Sequence, residues 1–487
     1  MKNIITKVLI GIVMIPMLFA CEDWLNVQPK TKIKSEKVFD TKKYFEQALI
    51  GVYLSISEKS LYGQELSFYF LDAAAGIYDF KSERGKYFDS SIRDYTKPVN
   101  VSIISNIWSR AYNAIANLNN ILENIETQTY LDDVTAKLIE GEARGLRAFI
   151  HFDLLRMFGP GNLANNRSGL DELAIPYVTN YEQFLSPQLK TSGVLAEIHK
   201  DLELAIKLLN YGDKWGPDFP KDNNMLLDDE FFKQDRRYRF NYWAANAIKA
   251  RAYLWEGDYK NALLFSEKFI KDSPIEFVKE SDILRNGDLV FTREFVFGLD
   301  VHDIYNESNI RRYFEVSPTD LSAEQVVDIM YVKKERFNTI FEANGVGQSD
   351  FRQNHQFAKY DNDKLLRKYY RSDIVSNSNN KLGIIRKPEM YYVAAECLNE
   401  LGIRKNDALT YLNAVRTSRT VVDPLVDTDA IKKEIEKEYY KDLFGEGQVF
   451  YFLKRLGYTS MPYSGEALNP KSFELPIPQS ELDFGRE

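Results

Sequence analysis

Three carboxylates, Glu438, Asp442 and Glu446, recur every four residues. That spacing puts them on one face of a helix. Two carboxylates on a cleft wall are the equipment of a glycosidase, one acting as acid and the other as base or nucleophile. Such pairs usually come from different elements, so that a substrate fits between them. The competing reading is a charged helix face paired with Lys441 or Arg455. Other chemistries leave weaker traces. The sequence holds no His-Glu-x-x-His zinc motif, no phosphate loop and no Gly-x-Ser-x-Gly elbow. Gly345-Val346-Gly347 lacks the third glycine and the preceding strand of a dinucleotide site. Asp361-Asn362-Asp363 lacks the glycine and closing glutamate of a calcium loop and reads as a solvated turn. His151, His199, His302 and His355 are scattered, and His151, in an apolar stretch, reads as a hydrogen-bonded core residue. No catalytic residue, metal or cofactor is assigned.

A second kind of chemistry is aromatic. The chain has 31 Phe, 30 Tyr and 5 Trp. Tyr78, Phe80, Tyr87, Phe88 and Tyr95 alternate with Lys81, Arg84, Lys86 and Arg93, and a second cluster is Tyr305, Arg311, Arg312, Tyr313 and Phe314. Flat apolar rings beside polar groups suit a sugar, with its C–H face and hydroxyl rim, or a peptide. Tyr78, Phe80, Tyr87, Phe88, Tyr95, Tyr305, Arg311, Tyr313 and Phe314 are therefore the candidate ligand residues, and packing within the loops is the alternative. If they bind ligand, Tyr87→Ala and Tyr313→Ala should weaken binding with little effect on melting temperature.

Cys21 carries a third chemistry. Lys2 and Lys7 precede the uncharged apolar run Val8–Ala20, which ends in Leu18-Phe19-Ala20 before the cysteine. The run is shorter than the roughly 20 residues that span a bilayer and fits a secretory signal. Its end resembles a bacterial lipobox, with Phe19 bulkier than usual at its position. The expectation is removal of residues 1–20 and lipidation of Cys21; an ordinary signal with an incidental cysteine is the alternative. Cys397 is the only other cysteine, so the acylated chain forms no internal disulfide. The net charge of −8 disfavours binding nucleic acid or an anionic membrane through the overall field. The anchor is then the one link to a membrane.

Helices must position these residues. Ile104, Trp108, Ala111, Ile115, Leu118, Leu122 and Ile125 form one buried stripe, and Ile139, Ala143, Leu146, Ile150, Leu154 and Met157 another, stopped at Gly159-Pro160-Gly161. Residues 41–58, 192–210, 239–256, 259–271, 387–401, 406–419 and 429–444 read as further helices, so the chain is mostly α. Ala250, Tyr253, Gly257-Asp258-Tyr259, Ala262 and Pro274 match the offsets of a tetratricopeptide repeat, although Ser266 stands where an aromatic is preferred. Ala395, Leu398, Gly402 and Ala408 form a looser copy, and 134–158 with 192–210 a third, interrupted pair. Generic antiparallel helix pairs are the alternative. Segments 60–100, 211–238 and 272–385 are irregular, and loops of that length inside a domain are usually functional. The expected organisation is a tether over 21–36 and a single helical domain over 37–487, with those segments forming a loop-rich ligand face.

The chain resembles the SusD/RagB nutrient-binding outer-membrane lipoproteins. Cys21–Pro29 is similar to the segment that follows their lipobox. Trp108, Tyr112, Ile115, Asn117 and Leu118, then Glu142-Ala143-Arg144, Leu146-Arg147-Ala148, Phe152, Leu155 and Phe158-Gly159, follow their helical signatures. Pro388–Tyr391, Ala394–Glu396 and Leu412–Arg416 match another signature, followed by Glu438, Leu443, Glu446-Gly447, Leu453–Arg455, Leu475–Pro478 and Glu481. Tyr439 and Gln448-Val449 depart from a more basic pattern. The resemblance implies a helical tetratricopeptide-like scaffold on a TonB-dependent, SusC-like β-barrel transporter. The lipoprotein would face the cell exterior as a lid that captures a glycan or peptide, without breaking bonds. A lipid-anchored α-helical carbohydrate enzyme is the runner-up, and a tetratricopeptide adaptor for envelope assembly the third reading.

Overall fold

A computed structural model describes residues 39–181, 186–220, 234–305, 310–314, 327–370, 378–469 and 471–483, the side chain of Arg311 apart. Cys21, the signal segment and the tether lie outside the described residues. Seventeen α-helices and six short strands follow one another there. The first group is α1 (Lys42–Ile56), α2 (Phe70–Ala74), β1 (Asp79–Phe80), α3 (Phe88–Ser91), α4 (Pro98–Ile125), α5 (Asp133–Phe158) and α6 (Thr191–Gly212). Next come α7 (Tyr242–Glu256), α8 (Tyr259–Asp272), α9 (Glu280–Asn286), β2 (Phe295–Asp300), α10 (Ile310–Phe314), β3 (Met330–Tyr331), α11 (Lys334–Phe341), α12 (Phe351–His355), β4 (Phe357–Tyr360), β5 (Asp363–Leu366) and β6 (Lys381–Arg386). The last group is α13 (Lys387–Glu400), α14 (Lys405–Ser418), α15 (Ile431–Leu443), α16 (Gln448–Leu456) and α17 (Gln479–Asp483).

Both apolar stripes are buried along α4 and α5. Asp132 caps α5 by accepting the Thr135 amide at 2.8 Å, and the helix stops at Gly159. From α4 onward the long helices form a row. Helix α4 packs on α5, α5 on α6, α6 on α7, α7 on α8, α8 on α13 and α13 on α14. Three antiparallel pairs therefore stack side by side, a tetratricopeptide-like scaffold. In the middle pair Ala250 and Ala262 are fully buried. Gly257 makes the turn at φ +82°, and a Cβ there would sit 2.8 Å from the Ala164 backbone, so two constraints select glycine. Ser266, in place of the aromatic, turns its hydroxyl back onto the Ala262 carbonyl at 2.8 Å. One large core runs from Phe39 to Leu475.

Charged signature residues staple the helices from inside. Arg147 of α5 donates two bonds to Asp201 of α6, at 2.7 and 2.8 Å. Glu142 accepts from Tyr53 of α1 at 2.6 Å and from Arg236 at 2.5 Å. Arg455 donates to Glu396, and Arg251 to Glu389. His151 accepts the Val178 amide at 3.0 Å, lies 2.9 Å from the Arg147 carbonyl and stacks on Tyr177. Burial lowers its pKa to about 3, so it is a neutral core residue.

The carboxylates of the glycosidase reading line no cleft. Glu438 and Asp442 lie on α15 and Glu446 just beyond it, all buried. Arg352 reaches Glu438 at 2.9 Å and Asp442 at 2.8 Å, Arg419 reaches Asp442 at 3.1 Å, and Arg386 reaches Glu446 at 2.7 Å. Lys441 pairs with Glu438 at 3.1 Å, while Arg455 is taken by Glu396. Arg352, Arg386 and Arg419 come from three separate segments, which the spacing of the acids cannot reveal.

The irregular segments are more ordered than their composition suggests. Residues 61–75 are all buried and include α2. Segment 272–385 contributes three two-stranded antiparallel sheets, one of them shared with segment 60–100: β1 with β3, β2 with β6, and β4 with β5. Strands of two to six residues are too short to show alternation. Asp361 and Asn362 are exposed in the turn of the β4–β5 hairpin. Helix α16, absent from the expected set, follows the break at Gly445–Gly447. Gly447 ties it to the loop face: its amide donates to Asp72 at 3.0 Å, and at φ +70° a Cβ would lie 2.2 Å from the Leu66 carbonyl.

Candidate ligand cleft

The two aromatic clusters, more than two hundred residues apart, meet in space. Tyr87 packs on Tyr313 with centroids 5.5 Å apart, both rings pack on Tyr69, and Tyr78 packs on Phe314 at 5.5 Å. Asp328 holds the clusters together, accepting the Lys86 amide at 2.9 Å and Arg312 Nε at 2.6 Å. Strand β1 pairs with β3 beside them.

Above this aromatic floor lies an open cleft of about 340 Å³, lined by Lys59, Ser60, Gln64, Glu65, Lys86, Ile103, Asn106 and Tyr313. The Tyr87 hydroxyl is the hub beneath it. It accepts from Lys86 Nζ at 2.8 Å and Gln64 Nε2 at 3.1 Å, and donates to Glu65 Oε1 at 3.0 Å. Glu65 Oε2 is buried with no hydrogen-bond partner among the described residues. Burial raises the Glu65 pKa, against the opposing pull of Lys86 and Tyr87. The Glu65 carboxylate, the Lys86 ammonium and an exposed amide at Asn106 thus surround the apolar Ile103 and Tyr313. That mixture matches hydroxyl groups around a C–H face.

The nominated residues divide by position. Tyr313 lines the cleft, and Tyr87 supports it from below. Tyr78, Tyr87, Tyr313 and Phe314 are buried, so they do not offer the exposed flat faces expected of them; their faces are covered by one another. Truncating Tyr87 or Tyr313 to Ala should therefore lower the melting temperature, contrary to the expectation drawn from the sequence. Phe80 and Phe88 are half-buried and meet edge to face at 6.0 Å. Tyr95 donates its hydroxyl to the Ser472 carbonyl at 2.8 Å. Tyr305 stands apart, packed on Tyr370 at 5.2 Å beside Ser378, Asn379 and Asn380. The Arg311 side chain lies outside the described residues. Lys59, Gln64, Glu65 and Asn106 escaped the sequence reading, because isolated polar residues carry no spacing signal. Among the described residues no group of three or more His, Cys, Asp or Glu is placed to hold a metal.

Residues 228–483 match the model of the SusD family, and residues 23–215 match a SusD-like model described as starch-binding and associating with the outer membrane. The chain belongs to the SusD family. A SusD-like protein of Formosa agariphila, P25, is 22% identical over 98% of this chain and 96% of its own length. A SusD superfamily protein of Bacteroides thetaiotaomicron superposes with a TM-score of 0.69 at 22% identity, covering 91% of this chain and 98% of that one. A SusD-like carbohydrate-binding protein of Bacteroides vulgatus gives a TM-score of 0.66 at 21% identity, covering 86% and 84%. Membership of the SusD family sets the enzyme reading aside, in agreement with the buried carboxylates. No helix among the described residues is long and apolar enough to cross a membrane.

Proposed function

We propose that this SusD-family chain is a surface-exposed lipoprotein, anchored through Cys21, that captures an oligosaccharide in the cleft above Tyr87. It passes the sugar to a TonB-dependent, SusC-like β-barrel in the outer membrane. The observation that carries the reading is the convergence of both aromatic clusters under a cleft with an unpaired carboxylate oxygen and a lysine. Sugar hydroxyls would donate to Glu65 and accept from Lys86, and the ring face would rest on Ile103 and the edge of Tyr313. Of the other nominated residues, Phe80, Phe88 and Tyr95 would shape the rim, and Tyr78 and Phe314 the floor. Tyr305 and Arg311 would extend the ligand face. The tether would keep the lid beside its transporter at high effective concentration.

Calorimetric titration of the full-length chain against oligosaccharide and peptide libraries tests this. A glycan whose affinity falls at least tenfold in Lys86→Ala supports the reading, and binding of peptides alone replaces the ligand class. Cys21→Ala should release the protein from the membrane fraction, and a pull-down of the native membrane complex should recover a large β-barrel.

A further inference from the structure

Where α5, α7, α15 and α16 meet, a small cavity of about 30 Å³ lies inside the scaffold and shares no residue with the ligand cleft. Arg156, Arg251, Trp255 and Tyr451 stand in its wall, each at least nine-tenths buried. One polar atom of each, Arg156 Nε, Arg251 Nη1, Trp255 Nε1 and the Tyr451 hydroxyl, has no hydrogen-bond partner among the described residues. Native proteins rarely bury such groups unpaired, so four around one cavity point to a guest.

The chemistry of the four atoms selects that guest. All four are hydrogen-bond donors, and three of them cannot accept. The nearby carboxylates are already engaged. Glu389 takes Arg251 Nη2 at 2.5 Å and Nε, Asp153 takes Arg156 Nη2, and Glu396 takes Arg455 Nη2 at 2.8 Å. With Arg156 Nη1 on Gln448 at 3.4 Å, what remains is the single N–H of Arg156 Nε and the two of Arg251 Nη1; Arg156 is also stacked on the Tyr451 ring, 3.6 Å from its centroid. One water accepts through two lone pairs and would leave donors unmet, whereas a small spherical anion sets no such limit on the donors it accepts from. The three arginine–carboxylate pairs cancel in charge, so a single negative charge is the smallest excess the buried site can take. The space exceeds the roughly 10–15 Å³ that a single water needs, which leaves room for a larger single ion. We propose that this cavity binds one monovalent inorganic anion of halide size, joining α5 and α7 to α16.

Bromide is the probe. Crystals of the wild-type chain soaked in bromide should show an anomalous peak within hydrogen-bond distance of at least two of the four donors. Ordered water in the cavity and no peak there at saturating bromide overturns the proposal. In solution, bromide should raise Tm by about 2–4 °C over gluconate at matched ionic strength. The Trp255→Phe/Tyr451→Phe variant, which keeps an aromatic ring at each position and removes two donors, should lose that shift. An equal bromide shift in both proteins also overturns it. If the variant does not fold, the soaked wild-type crystal decides alone.

Discussion

The network around Asp442 and the cleft around Glu65 use the same residue types and leave them in opposite states. In the network Glu438 and Asp442 each have several cations within reach. Burial opposes the charge on Glu438, yet Arg352, Lys441 and Arg416 hold its pKa down to about 2, and arginines hold Asp442 lower still. In the cleft Glu65 has one lysine, itself partly exposed, and burial wins, raising its pKa. A saturated network fixes helices relative to one another. An under-supplied carboxylate keeps an oxygen free for something else. Buried charge is thus structural in one region and available in the other, and the number of cations within reach makes the difference.

The sharpest way to break this contrast is Arg352→Ala. It removes the arginine shared by Asp350, Glu438 and Asp442, all fully or nearly fully buried, and should cost about 5 kcal/mol by chemical denaturation. A cost below that of a surface substitution would show that the network is not holding the scaffold. Tyr87→Ala removes a fully buried ring and should cost about 3 kcal/mol, whereas Tyr87→Phe keeps the packing and removes only the hub hydroxyl. If both variants melt together, the hydroxyl outweighs the ring. Glu65→Gln should change stability by under about 1 kcal/mol while weakening glycan binding; a large loss of stability would place Glu65 with the scaffold charges.

The smallest effect is in pH dependence, and its sign separates the two regions. The folded pKa of Glu438 is depressed. Its stabilisation is complete above the ordinary carboxylate value of about 4.3 and is lost as pH falls towards about 2. The folded pKa of Glu65 is raised. It favours folding below its ordinary value, and that contribution is lost as pH rises through the raised one. Glu65→Gln should therefore make denaturation midpoints less sensitive to pH just above the ordinary carboxylate range, and leave the acid limb unchanged. A shifted acid limb would couple the two regions.

Much of the scaffold was legible in the chain because helix periodicity is local. The stripes of α4 and α5 and the Gly257 turn each need only a few consecutive residues. Helix α16 was not, since its sequence neighbour Gly445–Gly447 reads as an ending and the helix spans only nine residues. The two aromatic clusters were visible as compositions, but not their meeting at Tyr87 and Tyr313. Gln64 and Glu65 carried no local mark at all.

The sequence by itself determined the long scaffold helices, the Gly257 hairpin turn and the family, because these rest on spacings within a turn or a motif. Only the tertiary structure decided which rings are covered and which carboxylates are neutralised. Arg352 and Glu438 are 86 positions apart, and Asp328 lies 242 positions from Lys86. Burial and pairing depend on what the fold brings alongside, and no spacing within one segment encodes the neighbour.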